Sequence, residues 1–268
     1  MPYLGSTPPQ TALSTGDLGD DIVTLAKLAS GTDGEILTWD ASGNPAAVAV
    51  GTSGHFLKSQ GAGSVPVFAA AGGGLQSAQV FTSSGTWTKP TGIIFVKVTV
   101  TGSGGGGGDG SGSNTPSAGG AGGGTAIKYI DVSSISSETV TIGAAGAGGS
   151  SGGAGGNGAT SSFGSHCSAT GGVGGAANND LNIALGGAGS SGNINISGGT
   201  GGVGGASQVR GTCGAGGSFW APGVTPGGGS GDHHATPQAG DHGEGGQGNT
   251  NHDGGAGGAG LIVVEEYK

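Results

Sequence analysis

Apolar and polar residues alternate through Phe95, Val96, Lys97, Val98, Thr99, Val100 and Thr101, the pattern of a β-strand with one face buried. Just upstream, Val80-Phe81 and Thr86-Trp87-Thr88 precede a Lys89-Pro90-Thr91-Gly92 turn, so 79–101 reads as strands and a turn. Two more strands are predicted within 125–142, and Leu261-Ile262-Val263-Val264 ends the set in 260–267. Near the N-terminus the period changes. Ile22, Leu25, Leu28 and Ala29 lie at helical spacing behind Asp20 or Asp21 as a cap, which predicts one short helix over 17–29. The residues that follow the cap fall short of the ~12–15 an isolated helix needs, so association with copies of itself is expected. A 20-residue repeat follows: Gly31-Thr32-Asp33-Gly34-Glu35-Ile36-Leu37 aligns with Gly51-Thr52-Ser53-Gly54-His55-Phe56-Leu57. Each unit reads as a turn, a strand, a Gly/Asn turn and a second strand, too small to bury its own apolar face. The expected organisation is an attachment segment (1–30), a stalk of two repeats (31–74) and a distal domain (75–268).

Between the apolar strands the pattern is set by glycine, 71 residues of 268. From Gly143 it falls on every third position through Gly146, Gly149, Gly152, Gly155 and Gly158. The beat returns at Gly198, Gly201, Gly204, at Gly211, Gly214, Gly217, at Gly240, Gly243, Gly246 and at Gly254, Gly257, Gly260. Three residues per turn is the period of the left-handed polyproline II helix, which makes no internal hydrogen bonds. Its buried backbone groups must then be paired sideways with parallel rods, which glycine alone lets approach closely. The expectation is a stack of polyglycine rods over 143–258, with other residues carried in the turns. Disorder is the competing reading for such a composition. The phase of the beat, and the return to a strand at 261–264, argue against it. Collagen is a poorer match, because the triplets break every few turns and prolines number 10. The fold class expected is mostly β and extended: a trimeric fibre with a β-sheet domain carrying packed polyglycine II helices.

Composition narrows the partners. Charged residues are 9% of the chain, against ~25% in ordinary soluble domains. The net charge of −9 argues against nucleic acid and anionic membrane surfaces. No run of about 20 apolar residues is present to span a bilayer. The opening Met-Pro-Tyr-Leu-Gly-Ser has neither a basic nor an apolar region, so a secretory signal is not expected there. Cys167 and Cys213 do not make a disulfide framework; they either pair or stay as small buried thiols, and a reducing cytosol favours the thiols.

Three stretches resemble phage tail fibres and adhesins of the glycine-rich type. Residues 18–29 followed by Gly-Thr-Asp-Gly-Glu-Ile-Leu-Thr-Trp-Asp (31–40) and its copy at 51–59 are similar to fibre shaft repeats. Phe81-Thr82-Ser83-Ser84-Gly85-Thr86-Trp87-Thr88-Lys89-Pro90 with Val96, Val98 and Val100, and the closing Gly260-Leu261-Ile262-Val263-Val264-Glu265-Glu266-Tyr267, resemble the first and last strands of glycine-rich fibre tips. The resemblance implies a homotrimeric virion protein, assembled in the host cytoplasm and attached to other virion proteins through its N-terminus. It also implies a receptor on the host surface, either a glycan or an outer-membrane protein. A head-decoration fibre is the alternative within the virion, and a secreted glycine-rich structural protein the alternative outside it.

Chemistry is sparse. No nucleophile elbow lies between a strand and a helix, no phosphate loop with Gly-Lys-Ser or Gly-Lys-Thr occurs, and Gly-x-Gly-x-x-Gly strings carry no weight in such a background. The acidic residues offer no pair facing across a groove. A binding protein without catalytic residues or cofactor is expected. Asp232, His233, His234, Asp241, His242, Glu244, His252 and Asp253 include metal-ligand types, but their spacing matches no metal motif, and they read as contact loops. Phe219-Trp220 sits between short glycine runs, either stacking on a sugar or receptor surface or capping the rods. The expected receptor contacts are Phe219, Trp220, His233, His234, His242, Asn251 and His252, with Asn178, Asn179 and Arg210.

Overall fold

The computed structural model describes residues 16, 33–70, 72–111, 115–177, 182–203, 213–223, 239–249 and 252–268. The helix expected over 17–29 lies outside the described residues. Among those described there is no α-helix, and the chain is all-β with several antiparallel sheets. It forms two compact units, Met1–Gly72 and Gly73–Lys268.

The first unit holds two hairpins. Strand β1 (Ile36–Trp39) pairs with β2 (Pro45–Val48), and β3 (His55–Lys58) with β4 (Val67–Ala70). The repeat is visible in the backbone: Gly34 and Gly54 take φ of 84° and 86°, and Gly43 and Gly63 take 80° and 78°. These left-handed positions are twenty residues apart and would strain any L side chain. In the first turn the Asp40 carboxylate accepts the N–H groups of Ser42 and Asn44 at 2.8 and 2.9 Å, which holds its pKa below the ordinary carboxylate value. Little of the apolar content is covered. Leu37, Trp39, Phe56 and Leu57 are all exposed, and Val48 is the one buried hydrophobic residue among the described residues of this unit.

The second unit is built on two five-stranded antiparallel sheets. Sheet I has the order β13 (Ile194–Ile196), β8 (Thr125–Asp131), β7 (Phe95–Thr101), β14 (Leu261–Tyr267), β5 (Leu75–Phe81). Sheet II runs β12 (Gly189–Ser190), β11 (Cys167–Ala169), β10 (Ser161–Phe163), β9 (Ser137–Thr141), β6 (Gly85–Thr88). The alternation along β7 turns Val96, Val98 and Val100 inward, where they meet Ile262 and Val264 of β14 and Trp87, Val140 and Phe163 of sheet II. The last strand thus lies between β7 and β5 in the middle of the fold, in register with Thr101 and Phe81 at its start. Glu266 also points inward and is fully buried. Its carboxylate accepts hydrogen bonds from Trp87 Nε1 and Gln79 Nε2, both at 2.7 Å, and from Ser77 Oγ. A buried charge left without donors would be costly, and these three tie β5 and β6 to the final strand. Strands β10 to β13 fall within 143–258, a stretch expected to hold rods and turns and no strands. With only two or three residues each, they carry no readable period.

Among the described residues, an array of ten glycine-rich segments rises from the ends of these strands. In chain order they are g1 (102–110), g2 (118–124), g3 (143–149), g4 (153–159), g5 (170–176), g6 (184–188), g7 (198–203), g8 (213–217), g9 (243–249) and g10 (254–260). Successive segments run in opposite directions, odd ones away from the sheets and even ones back. Within g1 the hydrogen bonds rotate with a period of three. Gly102, Gly105 and Gly108 donate to g2, Ser103, Gly106 and Asp109 to g4, and Gly104 and Gly107 to g10. Its carbonyls accept from Gly172 and Gly175 of g5, Gly146 and Gly149 of g3, and Gly246 and Asn249 of g9. Segment g1 therefore has six bonded neighbours, at N···O distances of 2.7–3.3 Å across the array. Segment g2 likewise has six, namely g1, g5, g6, g7, g8 and g9. The other eight segments form a closed ring around this central pair.

Contact is between backbones. A Cβ on Gly104 would come 1.6 Å from the carbonyl oxygen of Glu244, and one on Gly120 2.1 Å from that of Gly105. The array begins at 102, earlier than the expected 143, and its centre is the part the triplet rule overlooks. A rim segment needs glycine only where it faces neighbours, so a side chain can return every third residue, as at Thr170, Val173 and Ala176. A central segment has neighbours on all sides and admits little beyond glycine, as in the unbroken run at 104–108 and in 118–124, where the exceptions are Ala118 and Ala121.

Candidate recognition surfaces at the ends of the array

Side chains are concentrated where segments connect, and the up-and-down course divides those connections between two ends. Phe219 and Trp220 follow g8 at the end next to the sheets. Ser218 organises this turn: its N–H donates to the Ala221 carbonyl at 2.8 Å, and its Oγ donates to the His242 carbonyl at 2.7 Å. The same oxygen accepts the N–H groups of Trp220 and Ala221, each at 3.2 Å. The indole Nε1 of Trp220 donates to Thr101 Oγ1 at 3.1 Å, and Thr101 Oγ1 lies 2.9 Å from Thr125 Oγ1. Phe219 stands edge-on to Trp220 with ring centroids 4.9 Å apart, a favoured arrangement of aromatic quadrupoles. Both rings remain nearly half exposed, at 47% and 44%. The indole edge is thus anchored on the sheet while the ring faces stay open to solvent.

His242 is exposed in the neighbouring turn, which the Glu244 N–H closes onto the Asp241 carbonyl at 2.8 Å. Glu244 Oε2 accepts the Asp241 N–H at 2.9 Å, so this carboxylate serves the turn. Gly243, at φ 73°, lies between Thr101 and Ser218, where a Cβ would come 2.7 and 3.0 Å from their side chains. That close approach joins the aromatic turn to the histidine turn.

His252 is exposed at the opposite end, before g10. The six residues His233, His234, Asn251, Asn178, Asn179 and Arg210 lie outside the described residues. Of the expected set, the structure brings together Phe219, Trp220 and His242, and sets His252 apart from them. Nothing in the sequence marks this division, because triplets do not disclose which way a segment runs. The far end is held by polar groups that sequence reading missed. Asp109 Oδ2 accepts the Gly152 N–H at 2.7 Å, Ser117 Oγ donates to the Asn249 carbonyl at 2.7 Å, and the Cys213 thiol donates to the Ser117 carbonyl at 2.7 Å. Asp109, Ser117, Gln247 and Asn249 are all buried there.

Among the described residues no group of three or more His, Cys, Asp or Glu side chains is placed to hold a metal ion. His166 Nε2 lies 3.1 Å from Glu138 Oε1 as a pair on sheet II. Both cysteines are free and buried, Cys167 in the sandwich core and Cys213 in the array. Burial pushes the Cys167 thiol up to about 11 and raises that of Cys213, so neither is a ready nucleophile.

A two-sheet β-sandwich that carries a glycine-rich array, entered after β7 and left through β14, is the class this architecture defines. The family model described as "Glycine-rich domain" matches residues 80–267, and the chain belongs to that family. No curated protein matches the chain.

Proposed function

We propose that this chain is a virion structural protein, a homotrimeric phage tail fibre that recognises the host surface. The observation that carries the reading is the division of labour in the second unit. The ten described segments bond to one another chiefly through backbone, with a few side chains such as Ser103, Asn157 and Thr170 adding bonds, and most other side chains lie at their connections and rim. The three-residue rotation of donors and the six neighbours of g1 support identifying the segments as polyglycine II helices. Such a scaffold tolerates varied turns without refolding, which suits a reader of variable receptors. Phe219, Trp220 and His242 offer aromatic faces and a polar group at one end, and the His252 turn offers a second surface. The exposed apolar residues of the two hairpins support a stalk in which three copies cover one another, since a lone hairpin is marginal in water. The head-decoration fibre remains the alternative, because the architecture is the same and only the attachment point differs.

Purified full-length protein is added to host cells before infection. Reduced particle adsorption, with the surface glycan left intact, is the expected result. Unchanged adsorption at saturating protein rejects host recognition, and glycan loss replaces the adhesin with an enzyme.

A further inference from the structure

We infer that the outer face of sheet I and its edge strand β5 form a contact between copies of this chain, continuing the self-association of the hairpins into the second unit. The proposal rests on the trimeric stalk described above. Because Val96, Val98 and Val100 point into the sandwich, Phe95, Lys97 and Thr99 face the other way. Register then lays out two rows across the sheet. One runs Ile194, Ile127, Thr99, Val263, Val80 through all five strands, with Ile127 and Thr99 at its centre already buried, and the other runs Tyr129, Lys97, Glu265, Ala78. At the margin Tyr267 lies between Phe95 and Leu75. Val80 is 61% exposed, Tyr129 60%, Leu75 55%, Ile194 50% and Phe95 48%. Large apolar residues grouped on one sheet face are unusual for a surface that meets only water.

Two observations select a further copy as the occupant. The first is charge. Lys97 Nζ pairs with Glu265 Oε2 at 2.6 Å, an interaction that raises the lysine pKa, and Tyr267 Oη donates to Glu265 Oε1 at 3.4 Å. The centre of the face is thereby neutral. Identical copies meet there without the repulsion that a net charge of −9 imposes elsewhere, whereas a strongly charged partner gains nothing. The second is the edge. β5 is a seven-residue edge strand, Leu-Gln-Ser-Ala-Gln-Val-Phe, with no charge and no proline, whereas the opposite edge β13 has three residues. Edges that must stay single are usually blunted by such residues. In chain order only four residues separate β4 of the hairpins from β5. Copies joined through their hairpins hold their β5 strands at high effective concentration.

The test uses the full chain carrying Val80→Cys, treated with a short bis-maleimide, beside Thr86→Cys on β6, the edge of sheet II. Both positions are exposed and both native thiols are buried. Cross-linking of Val80→Cys on the order of a hundredfold faster than that of Thr86→Cys is expected from the effective concentration. Light scattering and thermal melting of both variants are measured alongside. A trimer without preferential linking at position 80 overturns this contact and leaves the stalk standing. Equal linking at both positions also overturns it, as random collision. A monomer overturns the contact and the stalk together.

Discussion

At the scale of the residue, glycine acts here by what it omits. Gly155 faces the Gly106 carbonyl oxygen, where a Cβ would sit at 2.0 Å, and Gly201 faces that of Gly119 at 1.9 Å. The obstructing atoms are backbone locked in hydrogen bonds, so no rotamer change relieves the clash. Overpacking a close-packed interior costs about 1–3 kcal/mol where side chains can yield, and more where they cannot. Gly155→Val and Gly201→Val are expected to lose the cooperative melting transition of the second unit. Gly85→Ala, with no atom within 4 Å of its added Cβ, is expected to melt like the parent. Differential scanning calorimetry of the three variants checks this; parental melting of Gly155→Val removes backbone contact as the basis of the array. Central Ala118 and Ala121 show that a methyl is tolerated where neighbouring segments leave room, since both are fully buried.

At the scale of the element, the two units solve the burial problem in opposite ways. The sandwich buries alternate residues of seven-residue strands, and Glu266 within that core is satisfied by donors from β5 and β6. The hairpins, with four-residue strands, leave Leu37, Trp39, Phe56 and Leu57 in water. Their side chains lose at least part of the roughly 1.5–3 kcal/mol that burying each would contribute. In the proposed trimer, three copies would recover it by covering one another. Light scattering is expected to give three times the mass of 24.6 kDa for the parent and a smaller species for Trp39→Ser combined with Phe56→Ser. A monodisperse parent of 24.6 kDa ends the stalk reading.

At the scale of the whole molecule, the alternating course of the segments places possible reader turns at both ends of the array. Phe219→Ala and Trp220→Ala remove the aromatic faces next to the sheets, and His252→Ala alters the far end. If recognition uses the sheet-proximal surface, the first two reduce adsorption of particles by tenfold or more, which corresponds to about 1.4 kcal/mol per site. His252→Ala then leaves adsorption unchanged, and melting temperatures stay within about 2 °C of the parent for Phe219→Ala and His252→Ala, as surface changes usually allow, while Trp220→Ala melts lower because it removes the donor to buried Thr101. Adsorption lost only in His252→Ala moves the reader to the opposite end, and parental adsorption for all three removes these turns from recognition.

Much of this architecture was legible along the chain because two physical periods leave a direct imprint. Alternation of two exposes a half-buried strand, so β7 and β14 could be read from 95–101 and 261–264. A beat of three exposes segments that meet neighbours on some faces and solvent on another, so the rim of the array could be read from Gly143 onward. The twenty-residue repeat was equally plain, since left-handed glycines must recur at matching turns. The rest depended on non-local pairing. The central segments lack the long glycine beat of the rim, because neighbours on every side admit little beyond glycine and an occasional small side chain such as Ala118 or Ala121, and only hydrogen bonds from distant parts of the chain identify them. Of the short strands, β10 finds its ladder on β9 and β13 on β8, and β11 and β12 extend the sheet from β10. The grouping of Phe219, Trp220 and His242, and their separation from His252, follow from the up-and-down course of ten segments. Glycine spacing carries no record of that direction, and tertiary packing alone decides it.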